Sequence, residues 1–278
     1  MSDRAWVVLV VSDTHCGSIL GLCPIEGVHL EEGATYLPSP AQRWLWQCFQ
    51  EDLIAVDSLI EKHNARLIFV SQGDLFDGRV KDTPQILSSH PEAQAYVAER
   101  VIGEILKRNP EKTYIVRGTE AHVGPAGASE EAFAHGIKAE RNPATDAWSW
   151  WVLQLDLCGK LLDFRHHPGT SGRLPWTRPM GVDRLAFLIW SEHALKGERA
   201  PDLAIRSHVH VAGDSFEAYP TRAVITPAYQ LKTSYVHKVA PESLSTVGMT
   251  AVVVHPSGQI DVHKLHHPLR NPDPVRLT

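Results

Sequence analysis

The chain has 278 residues, 43% of them hydrophobic, and a formal charge of −5 at pH 7 with histidines neutral. That is enough to bury a large core, and the charge, with no long Lys/Arg run, argues against a broad nucleic-acid surface while leaving a local basic groove open. The opening Met1-Ser2-Asp3-Arg4-Ala5-Trp6 leads into a Val/Leu run too short for a membrane span and without a leader's cleavage pattern, so a cytoplasmic protein is expected.

Taken in chain order, the apolar run Trp6–Val11 reads as a first buried strand. Ser39-Pro40 is an N-cap followed by proline at the first helical position, and Leu45, Phe49, Leu53, Val56 and Ile60 recur at helical spacing up to about His63. Leu67–Val70 is the second strand, Pro91–Lys107 the second helix with Val97, Val101 and Ile105 inward, and Tyr114–Val116 the third strand. This β-α-β-α-β order implies a parallel sheet covered by helices. From 124 to 147 a Gly/Ala/Ser-rich stretch reads as a loop bearing one short helix, a possible lid. Leu153, Leu155 and Leu157 alternate in a strand whose hairpin partner is Leu161–Phe164. Val182–Lys196 is a helix closed by Gly197, short strands follow at 203–206, 223–226 and 250–255, and the proline-containing tail 268–278 is irregular. No linker divides the chain, so a single domain over 1–278 is expected.

The chemistry-bearing residues follow these strands. Asp13 and His15 lie two residues apart at the end of the first strand, where strand periodicity points both side chains one way. Gln72-Gly73-Asp74-Leu75-Phe76-Asp77 ends the second strand and Arg117-Gly118-Thr119-Glu120-Ala121-His122 ends the third. In a parallel sheet these ends share one edge, where binding sites form. His166-His167 closes the 161–164 strand, and His208-Val209-His210 follows Leu203–Ile205. A lone Asp-x-His after a strand is more often a solvated turn than a ligand pair, but five such placements in chain order are best explained by one shared site. Four cysteines without a C-x-x-C spacing suggest neither a zinc ribbon nor a disulfide framework, so reduced thiols are expected.

Over residues 13–210 this pattern resembles the calcineurin-like metallophosphoesterases: Asp-x-His, Gly-Asp-x-x-Asp, Gly-Asn-His-Asp/Glu, a later histidine, and Gly-His-x-His. Asp13-Thr14-His15 and Gly73-Asp74-Leu75-Phe76-Asp77 match closely, and His208-Val209-His210 matches with Ser207 in place of glycine. The third block departs, since Gly118 is followed by Thr119-Glu120-Ala121-His122 rather than Asn-His, and Val123 stands where the family often has a carboxylate.

The resemblance implies an α/β four-layer αββα sandwich of two mixed sheets flanked by helices, with a dinuclear centre of Mn, Fe, Zn, Ni or Co at its upper edge. Manganese is favoured, in keeping with oxygen and nitrogen donors without sulfur. It implies Asp13, His15 and His210 on one metal, Glu120, one of His166 and His167, and His208 on the other, and Asp74 bridging. Glu120 is preferred to Thr119 because a carboxylate is the better ligand, and His167 to His166 because it precedes the Pro168-Gly169 turn. A metal-bridging hydroxide would hydrolyse a phosphomonoester or phosphodiester, with metals roughly 3.5–4 Å apart and His122 protonating the leaving oxygen or stabilising the transition state. Asp77 is read as a carboxylate holding its turn. Arg117, Arg173 and Arg178 are candidates to grip phosphate. The competing readings are a nuclease acting on DNA or RNA and a catalytically silent protein-binding scaffold of the same fold.

Overall fold

The computed structural model describes residues 4–79, 85–88, 90–169, 178–242, 244–269 and 274–276, with 178–180 as helical backbone only. Its centre is β1 (Trp6–Val11), a continuous apolar run buried on both faces. β1 pairs in parallel with β4 (Arg66–Ser71), which pairs in parallel with β5 (Lys112–Val116), and β5 in turn with the two-residue β6 (Ser149–Trp150). On its other side β1 pairs antiparallel with β12 (Val247–Val254), and β12 with β13 (Ile260–His267). Together these make a six-stranded mixed sheet. A five-stranded mixed sheet has the order β10 (Gly213–Asp214), β11 (Arg222–Ile225), β9 (Leu203–Arg206), β8 (Lys160–Phe164), β7 (Leu153–Leu157). The small hairpin β2 (Val28–His29) and β3 (Thr35–Tyr36) stands apart.

Period-two alternation sorts the residues of β1 and β4 between two cores. Val8, Val10, Ile68 and Val70 pack with Leu155, Leu162, Phe164, Leu203 and Ile205 between the two sheets. Val7, Leu9, Val11, Leu67 and Phe69 face the opposite way, against Phe49 and Leu53 of α1 (Pro40–Lys62) and Val97, Val101 and Ile105 of α2 (Pro91–Leu106). Each fully buried side chain of this size contributes roughly 1.5–3 kcal/mol. The outer face of the five-stranded sheet is covered by α5 (Arg178–Lys196), whose Val182, Leu185 and Ala186 pack on Ala223 and Ile225. The layers are therefore helix, sheet, sheet, helix, as expected.

The expected element positions agree with this to within a few residues. α1 begins on a capping box in which Ser39 and Gln42 exchange side-chain and backbone hydrogen bonds. Within 124–147 there is a single α-helix, α4 (Ala128–Gly136), preceded by a tight turn at Pro125–Gly127 and by the one-turn α3 (Glu120–Val123). A further short helix, α6 (Ser234–Val239), capped by Thr233, was not evident from spacing. Residues 268–269 and 274–276 of the tail carry no regular structure. No helix among the described residues is long and apolar enough to cross a membrane.

Candidate metal centre

The parallel strands β1, β4 and β5 deliver their following loops to one edge, and β8 and β9 of the second sheet deliver theirs opposite. Five of the residues brought together there, Asp13, His15, Asp74, His208 and His210, have φ between 43° and 74°. In this left-handed region a non-glycine residue costs roughly 1–2 kcal/mol. Gly118 is required by close approach, since a Cβ there would lie 2.2 Å from the Asp74 amide nitrogen.

On one side of the centre, Asp13, His15 and His210 place donor atoms within 4.8 Å of one another. The His15 Nδ1–H donates to Asp77 Oδ1 at 3.1 Å, which leaves its Nε2 as a lone-pair acceptor. That Nε2 lies 3.2 Å from His210 Nε2, and His210 Nε2 lies 3.2 Å from Asp13 Oδ1. Asp13 is fully buried, and its Oδ1 has no aligned hydrogen-bond donor. Burial pushes the Asp13 carboxyl up, but the neighbouring His210 outweighs it and holds the pKa down to about 2. Burial also lowers the pKa of His15, against the opposing pull of Asp77, so the ring is neutral. One carboxylate oxygen and two imidazole nitrogens thus converge within 4.8 Å of one another, with His210 Nε2 available as a lone pair when its proton sits on Nδ1, and this donor set fits a cation.

On the other side, Asp74 Oδ2 accepts from Thr119 Oγ1 at 3.1 Å and lies 3.0 Å from His166 Nε2 and 3.9 Å from His208 Nδ1. The Thr119 amide donates to Asp74 Oδ1 at 2.6 Å. Thr119 Oγ1 is also 3.1 Å from His208 Nδ1 and 3.3 Å from His167 Nε2. His166 is buried, and its Nδ1–H donates to the Gln72 carbonyl at 2.8 Å, which aims Nε2 at Asp74. Burial lowers the His166 pKa, yet the Asp74 and Asp13 carboxylates override this and raise it to about 9. Burial pushes the Asp74 carboxyl up, but the charge of His166 and its hydrogen bond outweigh this and take Asp74 well below the usual carboxylate range. His167 is exposed at the rim, with its pKa lowered by burial of the ring and by the neighbouring His166 and His208.

One sequence preference needs correcting on placement, while His166, His167 and His208 all bring ligand atoms within 4.8 Å of one another. Glu120 lies outside the cluster: as the first residue of α3 it is exposed, and its Oε1 accepts from the Ala126 amide at 3.3 Å. Because α3 starts directly after Thr119, the Thr119 hydroxyl takes the position expected of Glu120. His166 sits deeper in the site than His167, for the reason just given, and both rings are within reach of Thr119. Arg117 also points away, donating to Ser149 Oγ at 2.7 Å and pairing with Glu131 at 3.2 Å. Arg173 lies outside the described residues, and of Arg178 only the backbone is described. His122 is at the site: its ring meets His15 edge-on at 4.5 Å, and its Nδ1–H donates to the Asp77 carbonyl at 2.7 Å.

Three supporting residues escaped the sequence reading. Glu130 of α4 is fully buried and accepts from the Gly118 amide at 2.6 Å and from the Leu75 amide at 3.1 Å, clamping the loops that carry Thr119 and Asp74. Gln72 donates to the carbonyls of Arg165 at 2.8 Å and Ile205 at 3.0 Å, and Ser207 Oγ donates to the Gln72 carbonyl at 2.9 Å, tying the two sheets together. Asp77, read as a turn carboxylate, fixes the His15 tautomer and is itself held by Gln230 Nε2 at 3.1 Å. The one available signal was a buried-type amide, Gln72, directly after an apolar strand.

No family profile matches the chain, and no curated protein matches it. Solved structures do match along most of its length. A dimetal phosphatase from Danio rerio is 9% identical over 90% of this chain and 93% of its own, with a TM-score of 0.42. An uncharacterised protein described as a predicted phosphoesterase, from Streptococcus pneumoniae TIGR4, is 11% identical over 95% and 91%, with a TM-score of 0.39. Vps29 complexed with zinc, from Entamoeba histolytica, is 11% identical over 94% and 98%, with a TM-score of 0.37. At these scores the likeness carries no weight for function, which rests on the geometry of the centre.

Proposed function

We propose that this chain is a dinuclear-metal phosphoesterase that hydrolyses a phosphomonoester or phosphodiester. The observation that carries the reading is the convergence of Asp13 Oδ1, His15 Nε2 and His210 Nε2 beside a second cluster of Asp74, Thr119, His166 and His208. Asp13, His15 and His210 would hold one cation. Thr119, His166 and His208 would hold the other, with His167 at its rim and Asp74 shared. The donors are nitrogen and oxygen. Cys16 is in none of these donor clusters, so Mn, Fe, Zn, Co or Ni suits the centre, with Mn the first choice. When bound, such a pair would supply Lewis-acid polarisation of a phosphoryl oxygen and lower the pKa of water.

The chain's own residues supply positioning and proton transfer. Asp77 holds His15 in one tautomer through its carboxylate and His122 in one through its backbone carbonyl. His122 Nε2 is therefore the ring position left to face a substrate. Hydrolysis forms a P–O bond to the water oxygen and breaks the P–O bond to the alcohol. To act as the acid His122 must be in its imidazolium form, with Nδ1–H held by the Asp77 carbonyl and the second proton on Nε2. The alcohol would leave with that Nε2 proton, and the proton lost by the attacking water would pass to solvent, from which the ring is reprotonated. General acid catalysis of this kind is worth roughly 10²–10⁴-fold.

The test joins elemental analysis with assays of aryl phosphomonoesters and phosphodiesters in Mn²⁺, Ni²⁺ and Co²⁺. About two metals per chain are expected, with hydrolysis that Asp74→Asn abolishes without unfolding the protein. A folded, metal-loaded wild type that cleaves none of these esters would refute the proposal.

A further inference from the structure

A cleft of about 970 Å³ opens beside His122 and runs between α2 and α3–α4 on the helical side of the six-stranded sheet. Its inner wall is aromatic, because Phe76, two residues after Asp74, meets Phe133 of α4 edge to face with ring centroids 5.7 Å apart. Ile102 of α2 and Ile137 after α4 add aliphatic surface. Small residues keep it open. A Cβ at Gly136 would meet nothing within 4 Å, and Ala132 is exposed one turn earlier along α4.

The cleft is one ring away from the metal-ligand cluster, since His122 packs on His15 and His15 lies 3.2 Å from His210. His122 lines the cleft itself, so a group that takes a proton from this ring is released beside it. The described lining residues carry three carboxylates, Glu92, Glu99 and Glu120, and one guanidinium, Arg79. An apolar group therefore gains from burial, whereas an added negative charge meets a field of its own sign.

Building on the phosphoesterase reading, we propose that this cleft is the leaving-group site and that the natural substrate is a phosphate ester of a bulky, apolar alcohol without acidic groups. A nucleotide polyphosphate or a nucleic-acid strand does not fit this chemistry. The test compares kcat/KM for 4-nitrophenyl and 4-methylumbelliferyl esters, whose leaving groups are similar in acidity and differ in size, and for an aryl ester bearing an extra carboxylate. Wild type should favour the larger neutral group and discriminate against the carboxylated one.

Ala132→Trp, with Gly136→Trp as a second, independent filling of the cleft, should cut the large-to-small ratio by about tenfold or more while metal content stays at the wild-type level. A ratio within about twofold of wild type in both variants, or preference for the carboxylated ester, overturns the proposal. Absence of hydrolysis with every ester in the metal-loaded wild type instead removes the phosphoesterase reading, and this assignment with it.

Discussion

Replacing Glu130 by glutamine probes how the centre is held without touching a proposed ligand. The two carboxylate oxygens accept from Gly118 and Leu75, and each charge-assisted bond is worth about 1.5–3 kcal/mol. Glutamine keeps one acceptor as an ordinary bond and turns its NH₂ against the other amide, leaving a buried donor unmet at about 1–3 kcal/mol. Part of this is offset, because burial, and then the Asp74 charge, push the Glu130 carboxyl up to about 7, so removing it relieves some strain. The net is about 2 kcal/mol against the paired-loop arrangement, or roughly 30-fold in metal affinity. The assay titrates metal-stripped protein with Zn²⁺ or Mn²⁺ against a competing chelator, with thermal melts alongside. Affinity within about twofold of wild type together with an unchanged melt would mean that Glu130 does not set the spacing between Asp74 and Thr119.

Asp77→Ala frees the His15 tautomer and should weaken metal binding by roughly 10–100-fold, read by the same titration, with little change in Tm. His166, raised to about 9 in the metal-free protein, carries a proton at pH 7 that a cation must displace. Calorimetry in buffers of different ionisation enthalpy should therefore show about one proton released per chain, and apparent affinity rising about tenfold per pH unit up to roughly pH 9. Asp163→Asn strands the buried Arg206, which pairs with it at 2.6 Å, and should cost about 3–5 kcal/mol and lower Tm by about 10 °C. The native Asp163 pKa is depressed because Arg206 and Arg165 outweigh its burial. Its stabilisation is thus full above the unfolded carboxylate pKa and is lost as pH falls through the lower native value. Acid melts of wild type below about pH 4 should converge on those of the variant.

Sequence spacing located Asp13, His15, Asp74, His208 and His210 because each follows a strand whose apolar run is unmistakable and whose direction is set by parallel pairing. It misplaced the third block because the four-residue helix Glu120–Val123 follows Thr119 immediately and carries Glu120 out toward Ala126. So short a helix leaves no periodic trace. The deeper placement of His166 relative to His167 depends on the Gln72 carbonyl, more than 90 residues earlier in the chain. Glu130 was invisible for a similar reason: in an Ala/Glu-rich stretch nothing distinguishes the one carboxylate that points inward from its exposed neighbours. Strand ends are local features, whereas the groups that brace them come from distant segments.

The proposed ligands are divided between the sheets: Asp13, His15, Asp74 and Thr119 follow strands of one, and His166, His208 and His210 follow strands of the other. The His208 amide crosses the divide to Asp13 Oδ2 at 3.2 Å, next to the Gln72 bonds. Metal–ligand distances of about 2.0–2.2 Å leave no room for one sheet to slip by even a single residue, a step of about 3.3 Å. Reactivity then becomes a gauge of the alignment between two slabs. Leu155 and Val252 lie in the layer between the sheets, and altered packing there is expected to weaken metal binding, read by the chelator titration, before it lowers Tm.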